Sequence, residues 1–247
     1  MARRRLSDTS HPDTSLDDAY WLSFGDQPQP PMRDKIIYLT AEEVARVGPA
    51  VFNVASVSDR LGITHPMVNH YFGGRDALLA ETAFVVYQRY IHSLWEAVAA
   101  APAEPRARLR AWMMQQIEGT AKLGGWGGIL NYPSSSMHVS GLLQENFGDK
   151  MRELFVSNTV RLGVLVEDLR AGEVTSFDGM DIEALRMRFL AQPESMARGG
   201  SVGLSTLGVA IWNAGQHLPT RGAPELDEHK DQLIASHVER VIDAALT

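Results

Sequence analysis

The amino-acid sequence of 247 residues predicts an all-α fold, and three observations carry that reading. From Arg33 onward, apolar residues recur three and four positions apart, the period of one buried helix face. Glycines, and Asn or Thr residues suited to capping, punctuate the ends of those stretches. No segment alternates apolar and polar residues as a half-buried strand does, and none repeats at a fixed period. The composition, 45% hydrophobic and 21% charged, is that of a globular chain able to fill a sizeable core.

Residues 1–32 are rich in Ser, Asp, Pro and Gln, close on QPQPPM, and are expected to form a flexible N-terminal arm. Ile36, Ile37, Leu39, Val44 and Val47 then outline a helix over 33–47, with Gly48 placed to end it in a left-handed conformation. Asn53 suits the N-cap of a short helix over 54–61, whose Val54, Val57 and Leu61 face inward, and Gly62 ends it. Thr64 is expected to cap a third helix reaching Phe72, with Pro66 in the first turn, where a missing N–H costs little. Gly73 and Gly74 break the chain again. A long fourth helix is expected over 75–100, carrying Ile91, Leu94, Trp95 and Val98 on a buried stripe. Helical periodicity resumes over 105–123, 140–171, 181–191, 201–217 and 228–245.

The chain has no cysteine, which excludes disulfides, thiolate zinc sites and a cysteine nucleophile, and fits a reducing compartment. The opening MARRRLSDTS has the basic residues of a secretion signal without the apolar run that follows them in one. No apolar segment reaches roughly 18 residues, so no membrane span is expected and the cytoplasm is the expected location. The formal net charge of −7 does not favour binding to a polyanion. Residues 33–84 carry five basic and six acidic groups, which makes them the least acidic part in proportion but not a basic one.

The stretch VASVSDRLGITHPMVNHYF reads as two short helices joined by a tight Gly turn, the helix-turn-helix arrangement. A helix of two turns is not stable alone, so it must pack on its neighbours. Val57, Leu61, Ile63, Val68 and Phe72 supply that small core. His65, Pro66, Asn69, His70 and Tyr71 are left on the outer face, with donors, acceptors and flat rings of the kinds that reach base edges or phosphate oxygens.

Over residues 36–79 the sequence resembles the N-terminal domain of TetR (tetracycline repressor) family regulators. The matching positions are Gly48, Asn53, Val57, Gly62, Ile63, Thr64, the triplet His70-Tyr71-Phe72, Arg75, Leu78 and Leu79. The resemblance implies a three-helix helix-turn-helix DNA-binding domain over 33–76 and a larger helical domain for ligand binding and dimerisation over 77–247. It implies that Thr64 touches a phosphate at the start of the recognition helix, that Tyr71 contacts the DNA backbone and that Arg75 holds a phosphate. His65 and Pro66 fall where the family reads bases. Asn69 departs from the pattern, which has Tyr there, but Asn pairs bidentately with adenine and so shifts the sequence read. With Asn53 and His70, these residues form the predicted DNA-binding set. Arg3, Arg4 and Arg5 of the arm suit a minor groove, although Asp8, Asp13, Asp17 and Asp18 follow closely and favour a solvated tail.

For the larger part, the resemblance implies a small-molecule pocket among the middle helices and pairing of the last two helices with a second subunit. Trp95, Trp112, Gln116, Trp126, Asn131, Tyr132, Met137 and Trp212 are the candidate ligand-binding residues, suited to a largely apolar effector. The competing reading is that they simply fill the core. The Gly-rich GGWGGILNYPSSS interrupts the helices and suits a gate to such a pocket, while lacking the GxxxxGK[ST] pattern of a phosphate loop. Ile234, His237, Val238, Val241 and Ala245 share one face of the final helix. Val202, Gly203, Leu207, Gly208, Ala210 and Ile211 put small and apolar residues on the helix before it. Two such hairpins, one from each subunit, would form a four-helix bundle, with intrachain packing as the alternative.

No nucleophile elbow, HExxH motif or patterned carboxylate pair points to an enzyme. His65 and His70 stand five apart, the wrong spacing for a shared metal, and neither metal nor cofactor is expected. The expectation is a homodimeric DNA-binding regulator, a repressor by family default, that binds a palindromic operator and is released by a small molecule. The alternative is a helical small-molecule-binding protein without specific DNA binding.

Overall fold

Punctuation by capping residues and glycines decides where each helix begins and ends. The computed structural model describes residues 31–122, 136–191, 193–216 and 224–246. They form α1 (Met32–Val47), α2 (Val54–Leu61), α3 (His65–Phe72), α4 (Arg75–Ala100) and α5 (Pro105–Lys122), followed by α6 (Met137–Ala171), α7 (Ile182–Ala191), α8 (Pro193–Gln216) and α9 (Pro224–Leu246). Among the described residues there is no strand, and the protein is all-α. No helix there is long and apolar enough to cross a membrane.

The first four helices start within a residue of where the sequence places them. Three later starts differ, each for a local reason. Ser136 caps α6, its hydroxyl accepting the Val139 N–H at 3.4 Å, so that helix begins three residues earlier than the periodicity indicates. Pro224 opens α9 in the first turn, where proline is tolerated. The largest difference is α8, which starts at Pro193 rather than at 201. Gly199 and Gly200 resemble a break in sequence, but in the structure they are helical, and Gly199 is where α8 meets α6. A Cβ on Gly199 would lie 3.1 Å from the backbone Cα and N of Gly163 in α6. A Cβ on Gly163 would meet the Phe189 ring of α7 at 3.0 Å. Three helices cross at a point where only glycine leaves room.

The apolar interior divides into two main clusters. The first joins α1, α2, α3 and the first half of α4 through Ile36, Val44, Phe52, Val57, Val68, Phe72, Leu78 and Leu79, and it also takes in Val139 from the first turn of α6. The second joins α4, α5, α6, α8 and α9 through Leu94, Trp112, Met113, Leu165, Val202, Val238 and Ile242. Arg106 and Arg110 of α5 pair with Glu239, and Arg106 also with Asp243, which fixes α9 against α5. Among the described residues only α4 and α6 contribute to both clusters, so these two helices join them.

The face of α9 assigned from sequence to a partner subunit is occupied within the chain. Ile234, Val238 and Ala245 are buried in the second cluster together with Ile242, and Val241 packs against it. The preceding helix divides: Val202 and Ala210 are buried, whereas Leu204, Leu207 and Ile211 are 73%, 40% and 60% exposed. The α9 stripe is therefore intrachain core, because the opposing faces of α5 and α8 supply its apolar neighbours.

Candidate functional site

The helix-turn-helix is built by three local devices. Asn53 caps α2, its side-chain oxygen accepting the Ala55 N–H at 3.0 Å. Gly62 ends α2 in the left-handed conformation, φ 64° and ψ 29°. Its N–H bonds to the Asp59 carbonyl at 3.3 Å, and the Ile63 N–H bonds to that of Ser58 at 3.0 Å, the paired bonds of a Schellman turn. Val68 and Phe72 then anchor α3 on its inner side, and Leu61, Ile63 and Tyr71 pack half-buried around them.

This anchoring fixes what α3 presents. Thr64, His65, Pro66, Asn69 and His70 are all exposed, and Met67 is exposed beside them. Thr64 sits at the N-cap position, but its hydroxyl makes no capping bond, contrary to the sequence expectation; only its carbonyl serves the helix, accepting from Met67 at 3.0 Å. Tyr71 is half-buried, its ring edge-on to His70 at a centroid distance of 6.0 Å.

Arg75, which the resemblance assigns to a phosphate, is engaged within the protein. Its guanidinium donates to the Phe52 carbonyl at 3.1 Å, to the Pro49 carbonyl at 2.5 Å and to Asp76 at 2.8 Å. It ties the segment between α1 and α2 to the start of α4, and any phosphate would have to compete with those acceptors. Arg33, which the sequence reading passed over, does a parallel task at the C-terminal end of α3. It donates to the Tyr71 carbonyl, pairs with Glu81 of α4, and lies over the Phe72 ring at 4.4 Å. A cation at that carbonyl also complements the negative end of the helix.

Electrostatics follow from these pairings. Of the basic residues over 33–76, Arg33, Arg46, Arg60 and Arg75 pair with Glu81, Glu43, Glu42 and Asp76. Lys35 alone has no ion-pair partner among the described residues. The exposed face of α3 therefore offers hydrogen-bonding groups and rings rather than free charge. The arm residues Arg3, Arg4 and Arg5 lie outside the described residues.

A second feature lies toward the far end of α4. A cleft of about 720 Å³ opens between α4, α6 and the segment joining α6 to α7, lined by Ile91, Trp95, Val98, Leu154, Arg161 and Phe177 among others. Its volume is within the usual range for small-molecule sites. One wall is fixed by a buried network: Arg108 donates to the Thr175 carbonyl at 2.8 Å and faces Asp168 at 3.7 Å. Asp168 in turn accepts the Thr175 N–H at 2.8 Å and its hydroxyl at 2.6 Å. Phe177 is held between Arg108, 4.8 Å from its ring centre, and Trp95, edge-on at 5.2 Å. Arg161 lies 5.5 Å from the Trp95 ring and 5.9 Å from that of Phe177. Burial holds its pKa below the ordinary arginine value.

The structure brings only part of the predicted ligand set to this cleft. Trp95 lines it. Trp112 is 1% exposed and belongs to the second core cluster, and Gln116 is buried one turn further along α5. The Trp112 Nε1 and Gln116 Oε1 atoms have no hydrogen-bond partner among the described residues, nor has Asn213 Oδ1 of α8. Met137, in the first turn of α6, is 95% exposed and does not line the cleft. Trp126, Asn131 and Tyr132, with nearly all of the Gly-rich segment, lie outside the described residues, as does the side chain of Trp212. Sequence reading missed Arg161 and Phe177. Arg161 left a trace: it is the one charge in the apolar run VRLGVLV.

A polar, exposed recognition helix held on an apolar three-helix base defines a helix-turn-helix DNA-binding protein. No family model matches the chain. The chain is 30% identical over 219 residues to the HTH-type transcriptional regulator BetI of Burkholderia mallei (strain NCTC 10229), covering 83% of this chain and 95% of that protein. The same figures hold for BetI of Burkholderia pseudomallei (strain K96243). BetI of Paraburkholderia phytofirmans is 32% identical over 114 residues, 43% of this chain and 55% of that protein. The chain belongs to the TetR family of helix-turn-helix transcriptional regulators.

Proposed function

We propose that the protein is a homodimeric repressor that binds a palindromic operator through α3 and is released from it by a small molecule. The observation that carries this reading is the exposed row Thr64, His65, Pro66, Asn69 and His70, with the unused Thr64 hydroxyl at the start of the helix. In the proposed contacts Thr64 and Tyr71 meet phosphates, Asn69 pairs with a base, and His65, Pro66 and His70 read the surrounding edges, while Asn53 approaches the backbone beside them. Dimerisation is supported by Leu204, Leu207 and Ile211, which leave an apolar row on the outside of α8.

Ligand release is supported by the course of α4 and α6. Both contribute to the helix-turn-helix core and both line the cleft. A ligand that prefers one separation of these helices would bias the spacing of the two recognition helices, which must sit about 34–36 Å apart to meet adjacent turns of the duplex.

The test is a mobility shift with DNA from upstream of the protein's own gene, at rising salt. Specific, salt-sensitive binding that weakens in Asn69→Ala is the expected result. The engaged state of Arg33, Arg46, Arg60 and Arg75 favours one rival, a small-molecule-binding protein without specific DNA binding. Binding that is no stronger than to unrelated DNA would establish that rival.

A further inference from the structure

We propose that the cleft between α4 and α6 accepts a carboxylate ligand with an aromatic or aliphatic body, its carboxylate paired with Arg161 and its body against Trp95 and Phe177. This rests on the reading that the protein answers to a small molecule, and it adds the chemical class of that molecule.

Two arginines line the cleft, and only one is available. Arg108 is buried and already matched by Asp168 and the Thr175 carbonyl. Arg161 has no ion pair, and none of its donors has an acceptor among the described residues. Its Nε is buried without a partner. The neighbours it does have are the faces of two aromatic rings, which attract a cation but leave its in-plane donors unused. A partly buried guanidinium in that condition presents a fork that matches a carboxylate in geometry and charge.

The remaining surface suits the rest of such a ligand. Ile91, Val98 and Leu154 extend the apolar wall beyond Trp95 and Phe177. The acidic groups at the cleft are Glu96 and Asp178, both exposed, with Glu96 beside His92 at 3.4 Å. Water screens these exposed charges more than it does the partly buried Arg161, so they do not cancel it. A cationic ligand would meet the unmatched charge of Arg161, with the exposed Glu96 and Asp178 as the acidic groups that line the cleft.

The test uses the full-length protein and three probes on one skeleton: 3-phenylpropionate, 3-phenylpropionamide and 3-phenylpropylammonium, titrated by calorimetry. The expected result is carboxylate binding at least tenfold tighter than amide, with the ammonium weakest. Arg161→Met should reduce the carboxylate-to-amide ratio to below twofold, and Arg161→Lys should keep part of it. Equal binding of acid and amide, tighter binding of the ammonium, binding of none of the three, or an unchanged ratio in a folded Arg161→Met would each overturn the proposal. Should Arg161→Met fail to fold, the ratio measured on the unaltered protein decides. A parallel mobility shift separates the two readings. Carboxylate preference without any change in operator affinity leaves this assignment standing and removes ligand release. Release by the ammonium or amide without carboxylate preference does the opposite.

Discussion

Arg33 holds the end of α3 and Arg75 ties the segment between α1 and α2 to the start of α4, and both act through carbonyl groups as well as carboxylates. A substitution should therefore read out first as stability. Arg75→Ala is expected to cost about 1–2 kcal/mol in urea unfolding, since it leaves the Phe52 and Pro49 carbonyls without their charged donor. Arg75→Lys, which keeps the charge but cannot fork across both carbonyls, should recover only part of that. An unchanged stability in Arg75→Ala, with DNA binding lost, would instead favour the phosphate role that the resemblance implies. A second residue-scale effect concerns Tyr90, whose phenol burial pushes up to about 12. The folded protein thus keeps that proton to higher pH than the unfolded chain, where a phenol titrates near 10. The contribution is fully present below about pH 10 and is lost as pH rises toward 12, at roughly 1.4 kcal/mol per unit. Tyr90→Phe should remove this part of the alkaline loss, visible as a smaller drop in unfolding free energy between pH 9 and pH 11. Tyr87, also raised by burial, is present in both proteins.

At the scale of elements, the contact between α6 and α8 is the tightest constraint on the larger part of the molecule. Gly199→Ala would set a methyl 3.1 Å from backbone atoms of Gly163, and backbone cannot swing aside as a side chain can. The expected cost is about 1–3 kcal/mol in thermal or urea unfolding. Gly200→Ala, where nothing lies within 4 Å of the added methyl, should be neutral or slightly stabilising through helix propensity. The same pair explains how much of the fold was legible. Helices α1 to α5 could be read because their caps, glycines and apolar stripes are local signals. The start of α8 could not, because Gly199 reads as a breaker until Gly163 is seen beside it. The inward face of α9 was visible as a stripe, but periodicity does not say whether a stripe faces its own chain or another. The exposed residues of α3 were legible for the same local reason as the helix. The cleft was not, since Arg161 and Phe177 meet Trp95 only through packing between segments some 60 to 80 positions apart.

For the whole molecule, the question is how the proposed dimer would hold DNA when four of the five Arg and Lys residues over 33–76 are already paired in each subunit. The exposed row of α3 offers a handful of hydrogen-bonding groups without Arg or Lys, so the proposed dimer would draw its affinity from engaging two half-sites at once. Joining two such surfaces raises the effective affinity by about 10²–10⁴ without any new contact. The outer row of α8 is the place to break that link, because Leu207 and Ile211 are exposed in the subunit and their loss should leave its core intact. Leu207→Glu with Ile211→Glu is expected to give a monomer in sedimentation velocity, with the melting temperature of the subunit fold little changed at matched concentration. Operator affinity should fall by about 10²–10⁴, while the cleft, which neither residue lines, should bind 3-phenylpropionate as before. A double variant that still sediments as a dimer would move the subunit interface away from this face of α8. A monomer that keeps full operator affinity would mean that one recognition helix suffices, and the two-site account of binding would fall with it.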